Sequence, residues 1–212
     1  MTVIFPKWTN KIPTLVAGAA AFAGAFVTFV VWYWFSPKNT DVGYAPVQPV
    51  QYSHKLHAGV MGMDCRYCHQ NVERGPRATI PTTETCMNCH KTVLTDRPEI
   101  KKLHAAHTSG EPVQWVKVHM LPDYAYFDHS VHVHAGVGCA SCHGRIDQQE
   151  VVRQVEPLSM GWCLECHREP ENHLRPLDKV TDMNFVPDPK QGESFLSERN
   201  LHPPEHCSAC HR

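Results

Sequence analysis

The sequence predicts a mostly irregular, part-helical domain carried by one N-terminal membrane helix, and three observations predict it. Residues 14–35 hold no charge; the remainder is rich in proline and turn residues, with no long amphipathic helix or alternating strand; and all ten cysteines fall in five copies of Cys-x-x-Cys-His. Where long regular elements are missing, the cysteine motifs must supply the order.

The motifs are Cys65/Cys68/His69, Cys86/Cys89/His90, Cys139/Cys142/His143, Cys163/Cys166/His167 and Cys207/Cys210/His211. This is the attachment signature of c-type haem: two cysteines three apart form thioethers to one porphyrin, and the next histidine reaches its iron. Zinc competes, since Cys-x-x-Cys is half of a tetrahedral site, but zinc does not require histidine directly after every second cysteine. Here it follows every time, and no cysteine is left for a disulfide. The expectation is five covalently attached haem c groups in a class III-like multihaem cytochrome c.

The uncharged run from Thr14 to Phe35 is 22 residues long, about 33 Å as a helix, enough to cross a bilayer. It ends in Trp32, Tyr33, Trp34 and Phe35, an aromatic cluster suited to the headgroup level. Small residues lie inside the run rather than at a cleavage site, which favours an uncleaved signal anchor over a removed signal peptide. Lys7 and Lys11 precede it and Lys38 follows, so the positive-inside rule puts residues 1–13 in the cytoplasm. Haem c is attached on the outer side of the bacterial inner membrane, which agrees. Ala17, Ala21 and Ala25 form a small-residue face open to a partner helix.

Residues 36–51 contain Pro37, Pro46 and Pro49 and read as an extended linker, so the periplasmic pentahaem domain is expected over 52–212. Net charge is −1, from 20 basic and 21 acidic residues, which argues against a nucleic-acid binder or a polybasic membrane-surface protein. About 160 residues cannot build an ordinary core around five haems, so the porphyrins must form much of it.

An internal repeat organises this domain. Tyr52-Ser-His54-Lys-Leu-His57-Ala-Gly-Val precedes Cys65, and Phe127-Asp-His129-Ser-Val-His132-Val-His134-Ala-Gly-Val precedes Cys139. A second motif follows each, giving two dihaem repeats and one C-terminal haem. The repeat nominates His54, His57, His129 and His132 as distal iron ligands, since histidines at i and i+3 can point to neighbouring irons. The fifth distal ligand is left between Met160 and His119. Met160 lies too near Cys163 to cap its own haem but can reach another, where a thioether would raise the potential. His119 stands in a largely apolar stretch where an imidazole needs a reason. His104 and His107 read as a solvated surface pair. His134, His173, His202 and His206 stand as further ligand candidates or neighbours of haem propionates with none singled out, and Met61, Met63 and Met87 read as packing against porphyrin faces.

The strings QYSHKLHAGVMGMDCRYCH, TCMNCH, WVKVHMLPDYAYFDHSVHVHAGVGCASCHGRID, LSMGWCLECHREPENHLRP and CSACHR closely resemble the pentahaem, membrane-anchored cytochrome subunit of bacterial alternative complex III. Multihaem subunits of other quinone-linked enzymes share the central strings. The resemblance implies a non-catalytic electron-transfer subunit of a quinol-oxidising respiratory or photosynthetic complex. Its implied partners are a polytopic quinol-binding subunit, an iron-sulfur subunit, a monohaem cytochrome, and a periplasmic acceptor such as cytochrome c, a high-potential iron-sulfur protein or a terminal oxidase. Competing functions are a stand-alone quinol-oxidising anchor feeding a periplasmic reductase, a haem enzyme with an open iron, and, more remotely, a reaction-centre tetrahaem cytochrome. A surplus of histidines argues against an open iron.

Overall fold

The structure is a computed structural model, describes residues 5–211, and divides into two compact units, 1–40 and 41–212. The first four residues of the expected cytoplasmic segment, and Arg212, lie outside the described residues.

The first unit is a tight turn at Lys7–Lys11, helix α1 (Ile12–Trp34) and the single turn α2 (Pro37–Thr40). Pro13 opens α1, where its missing N–H costs nothing. None of its residues is buried, and its apolar side chains surround the axis, as in a helix long and apolar enough to cross a membrane. Its interior hydroxyl is satisfied within the helix, Thr28 donating to the Gly24 carbonyl at 2.9 Å.

The second unit contains α3 (Cys65–Cys68), α4 (Thr83–His90), α5 (Pro98–Ser109), α6 (His129–Ala135), α7 (Ala140–His143), α8 (Met160–Arg168), α9 (Pro189–Glu198) and α10 (Cys207–Cys210). Each attachment motif lies on or beside a short helix, and no strand occurs among the described residues. Local capping explains several starts. Asp64, Asp128, Ser159 and Asp188 each accept from a backbone amide at the start of α3, α6, α8 and α9.

Two helices depart from the expectation that no long amphipathic helix occurs. α5 has Pro98 in its first turn, buried Ile100 and Leu103 on one face, and a stop at Gly110, φ 76°. α9 follows its cap Asp188 and opens on Pro189. Their proline and glycine punctuation was present in the sequence, but only two apolar side chains of α5 are buried, so its periodic signal is weak.

The linker expectation also changes. Residues 43–51 are bonded into the body of the second unit: Gly43 N–H to Gln154 O (2.7 Å) and Gln154 N–H to Tyr44 O (3.1 Å). Val50 is buried with Met87, Ile100 and Leu103. Prolines hold this stretch extended while leaving its carbonyls and remaining amides for neighbours. Met87 therefore packs in this small aliphatic cluster, not only beside a motif. That cluster, with Val118, Leu174 and Val180 buried elsewhere, is far too small a core for a unit of this size.

Candidate haem-binding sites

The repeated segments build the same aromatic-histidine cluster twice. Tyr52 stacks on His57 (ring centroids 4.4 Å, planes 21° apart) and meets His54 edge-on (4.8 Å, 84°). Phe127 stacks on His132 (4.6 Å, 30°) and meets His129 edge-on (4.7 Å, 84°). The aromatic ring wedges the two imidazoles apart so that they face in different directions.

Each of these imidazoles faces a motif histidine. His54 stands opposite His69 (centroids 6.4 Å, planes 2° apart), His57 opposite His90 (6.2 Å, 62°), His129 opposite His143 (6.5 Å, 5°) and His132 opposite His167 (6.2 Å, 34°). A metal–imidazole bond is about 2 Å and the ring centre lies about 1 Å behind its nitrogen, so two axial imidazoles on one metal stand about 6 Å apart. The four pairs match that spacing.

Hydrogen bonding fixes which nitrogen is available. His69 donates Nδ1–H to Thr79 O (2.7 Å), His90 to Val93 O (3.1 Å), His167 to Pro204 O (2.7 Å) and His211 to Tyr124 O (3.2 Å). On the opposing side His57 donates to Ser53 O (2.8 Å), His129 to Pro76 O (2.7 Å) and His132 to Asp128 O (2.7 Å). Carbonyl oxygens only accept, so each Nδ1 carries a proton and Nε2 is the nitrogen left to face a metal, the tautomer an iron requires. His143 Nδ1 lies 3.2 Å from His119 Nε2. His54 Nδ1 is buried and has no protein partner among the described residues. Burial, then the neighbouring His69, lowers the His54 pKa to about 4; burial, then His119, lowers that of His143 to about 3. Both are neutral at physiological pH.

Some of these carbonyls are presented by unusual backbone. Thr79 has φ 65°, and Leu94, next to Val93, has φ 55°, left-handed conformations that cost a non-glycine residue about 1–2 kcal/mol. The loops after the first two motifs hold this strain where they meet the motif histidines.

The motifs touch in a chain. Tyr67 of the first accepts from Asn88 of the second (2.9 Å). The first and third are joined through residues 180–181: Cys139 N–H donates to Val180 O (3.0 Å) and Thr181 donates to Asp64 (2.9 Å). α6 bridges the third and fourth through His129 and His132. The fourth and fifth meet through His167 on Pro204 and the Arg168–Glu205 ion pair at 3.0 Å. Tyr126 N–H donates to Cys210 O at 2.7 Å, beside the Ala125–His211 bridge, so the fifth motif sits against the leader of α6.

Of the two candidates for the fifth distal ligand, His119 lies against His143 with ring centroids 4.5 Å apart at 85°. That is too close for a metal between the rings, and its Nε2 faces His143; this placement argues against the expectation of His119 as an axial ligand. Met160 is 65% exposed at the start of α8. Its helix carries the fourth motif, which meets the segment before the fifth through His167 on Pro204 and Arg168 on Glu205. The other histidines bond differently. His104 is half-buried rather than solvated and uses Nε2 on the His90 carbonyl (2.8 Å). His107 is exposed and lies 3.8 Å from Glu84. His202 uses Nε2 on Asn200 (3.1 Å).

Arg175 escaped the sequence reading. It is 2% exposed, its Nε has no partner among the described residues, and Nη1 donates to the Asp182 carbonyl at 3.0 Å. Gly138, the residue before Cys139, is glycine because a Cβ there would meet this guanidinium. A lone arginine in a polar loop carries no sequence signal for burial; the glycine before the motif is the only hint.

A model of the class III cytochrome c family matches residues 35–123, and one of cytochrome c7 and related cytochrome c matches 125–212. They divide the chain between its two repeats. The chain is also 36% identical over 183 residues to the menaquinone reductase multihaem cytochrome c subunit of Nitratidesulfovibrio vulgaris strain Hildenborough, covering 74% of this chain and 84% of that protein. With histidines arranged in metal-spaced pairs behind covalent attachment motifs, this chain belongs to the class III multihaem c-type cytochromes.

Proposed function

We propose that this chain is the membrane-anchored, electron-conducting subunit of a quinone-linked oxidoreductase complex, with a haem c at each of its five motifs. The observation that carries the reading is the set of four imidazole pairs at 6.2–6.5 Å. Two histidines on each of these four irons would leave them no coordination position for substrate, which suits electron transfer and not catalysis at the metal.

In this reading Cys65, Cys68, Cys86, Cys89, Cys139, Cys142, Cys163, Cys166, Cys207 and Cys210 form the thioethers. His69, His90, His143, His167 and His211 are proximal ligands, with His54, His57, His129 and His132 distal to the first four in that order. Met160 is the candidate for the fifth. Each bound haem supplies a one-electron ferric/ferrous couple. The chain's own residues do the rest: carbonyls orient the rings, Tyr52 and Phe127 separate them, and the bonds between motifs set the succession second, first, third, fourth, fifth. The second and fifth motifs are then the two ends of the conductor.

Helix α1 serves as the anchor, with the motif-bearing unit on the periplasmic side of a bacterial inner membrane. One helix cannot enclose a quinone, so a polytopic subunit must bind it, with iron-sulfur and monohaem cytochrome subunits as further partners. The similarity to a menaquinone reductase subunit supports electron flow towards quinone. The strings shared with the alternative complex III subunit support flow from quinol. The same conductor serves either direction. Redox titration and EPR of the native membrane complex test the proposal: five haems, at least four of them low-spin and bis-histidine, reduced by quinol or oxidised by quinone only in the complex. A high-spin, carbon monoxide-binding iron among the first four motifs, or quinone chemistry by the isolated chain, overturns it.

A further inference from the structure

His143 is the one motif histidine whose Nδ1 meets a side chain, His119 Nε2, instead of a backbone carbonyl. His119 is delivered there by a clamped segment. Gln48 donates to Val116 O and accepts from Val116 N–H, both at 2.9 Å. Val118 is buried, and Gln154, 1% exposed, accepts from Met120 N–H at 3.3 Å. With His143 Nε2 kept for iron, the proton sits on Nδ1, so His143 donates and His119 Nε2 accepts across 3.2 Å.

We propose that His119 is a positioning residue for the third motif, accepting the Nδ1 proton of His143 and holding the iron there at a lower potential than the same ligand pair gives at the first motif. This rests on reading His143 as a haem ligand. The two sites share their ring geometry: separations are 6.4 and 6.5 Å and planes are 2° and 5° apart. They differ behind both rings: the motif histidine donates to Thr79 O at the first and to an imidazole nitrogen at the third, and the distal ring donates to Pro76 O only at the third; the variants below alter the His119 contact alone. An imidazole nitrogen is the stronger base, so it draws the Nδ1 proton further and makes the opposite Nε2 a richer donor. A richer axial donor stabilises ferric over ferrous iron and lowers the potential. Because the third motif joins the two repeats, the difference falls at the middle of the conductor.

The test uses the full-length chain in its native membrane complex, titrated optically and by EPR. In H119L one haem of five shifts to higher potential and changes its g-values, while the other four stay in place. In H119Q, whose amide oxygen is a carbonyl-type acceptor, the same haem shifts in the same direction by less. Shifts of every haem together, no shift in H119Q, or equal shifts in both variants overturn the proposal in favour of simple packing. Should H119L fail to assemble, H119Q alone decides. The underlying reading is checked separately with H143A: loss of one low-spin signal supports it, and retention of every low-spin signal overturns it whatever His119 does.

Discussion

The two repeats place four imidazoles with the same spacing and surround them differently. In the first, His54 and His57 ride on a wide π-type turn, Lys55–Val60, and the aromatic wedge is Tyr52. In the second, His129 and His132 ride on the regular helix α6, capped by Asp128 and closed by Gly136, and the wedge is Phe127. His129 Nδ1 has a carbonyl partner and His54 Nδ1 has none among the described residues. An iron shared by each pair would require one ring separation, and that quantity recurs; hydrogen-bond partners and burial set the donor strength, and those diverge. The repeat therefore conserves binding and frees tuning.

Replacing Cys139 and Cys142 together by serine should have the largest effect, because the third motif joins the repeats. Beyond the loss of one haem, protease resistance of the whole unit should fall. The same change at Cys207 and Cys210 should lose one haem and leave the rest resistant. Haem counting by pyridine haemochrome and limited proteolysis check this, and equal resistance in both variants would remove the special status of the junction.

Distal histidines should behave alike across the repeats. H57A and H132A should each convert one low-spin iron to a high-spin, carbon monoxide-binding one, read by EPR and optical spectra. If either variant keeps every low-spin signal, the pairing with His90 or His167 is wrong.

The paired Ala-Gly-Val segments test whether one letter serves two purposes. Gly59 is needed because a Cβ would strike the Asp147 carbonyl, whereas Gly136 has φ 92° and also borders the Arg199 and Arg175 groups. G59A should cost about 1–3 kcal/mol through overpacking, and G136A should cost more, adding a left-handed backbone penalty of about 1 kcal/mol. Thermal unfolding of the holoprotein ranks them.

The smallest effect belongs to Asp64, whose counterpart before Cys139 is Gly138. Hydrogen bonds from Arg66 hold the Asp64 carboxyl down at about 2, helped by Thr181. A folded value below the ordinary one of 3.8 stabilises the fold above that pH, and the contribution is lost as pH falls towards 2. The group is largely exposed, so D64N should cost at most about 1 kcal/mol. Melting curves of D64N and the parent should converge in acid; a gap that persists there would assign the effect to the α3 cap alone.

Much of this protein could be read from its letters. The attachment motifs, the apolar helix and the aromatic-x-His-x-x-His repeat are local patterns, because thioether formation, membrane crossing and an i, i+3 histidine pair are decided within a few residues of chain. Helices α5 and α9 went unread because their buried faces are short. What needed three dimensions was everything made by residues distant in sequence: the partner of each distal histidine, the carbonyl on each Nδ1, the succession of motifs, the burial of Arg175 and the placement of His119 against His143. A hydrogen bond between positions 119 and 143 leaves no trace in composition or period, since it depends on where Gln48 and Gln154 clamp the segment between them. The sequence by itself determined which groups could bind haem; tertiary packing decided which imidazole faces which and what stands behind each ring, because those contacts depend on through-space distance and not on spacing along the chain.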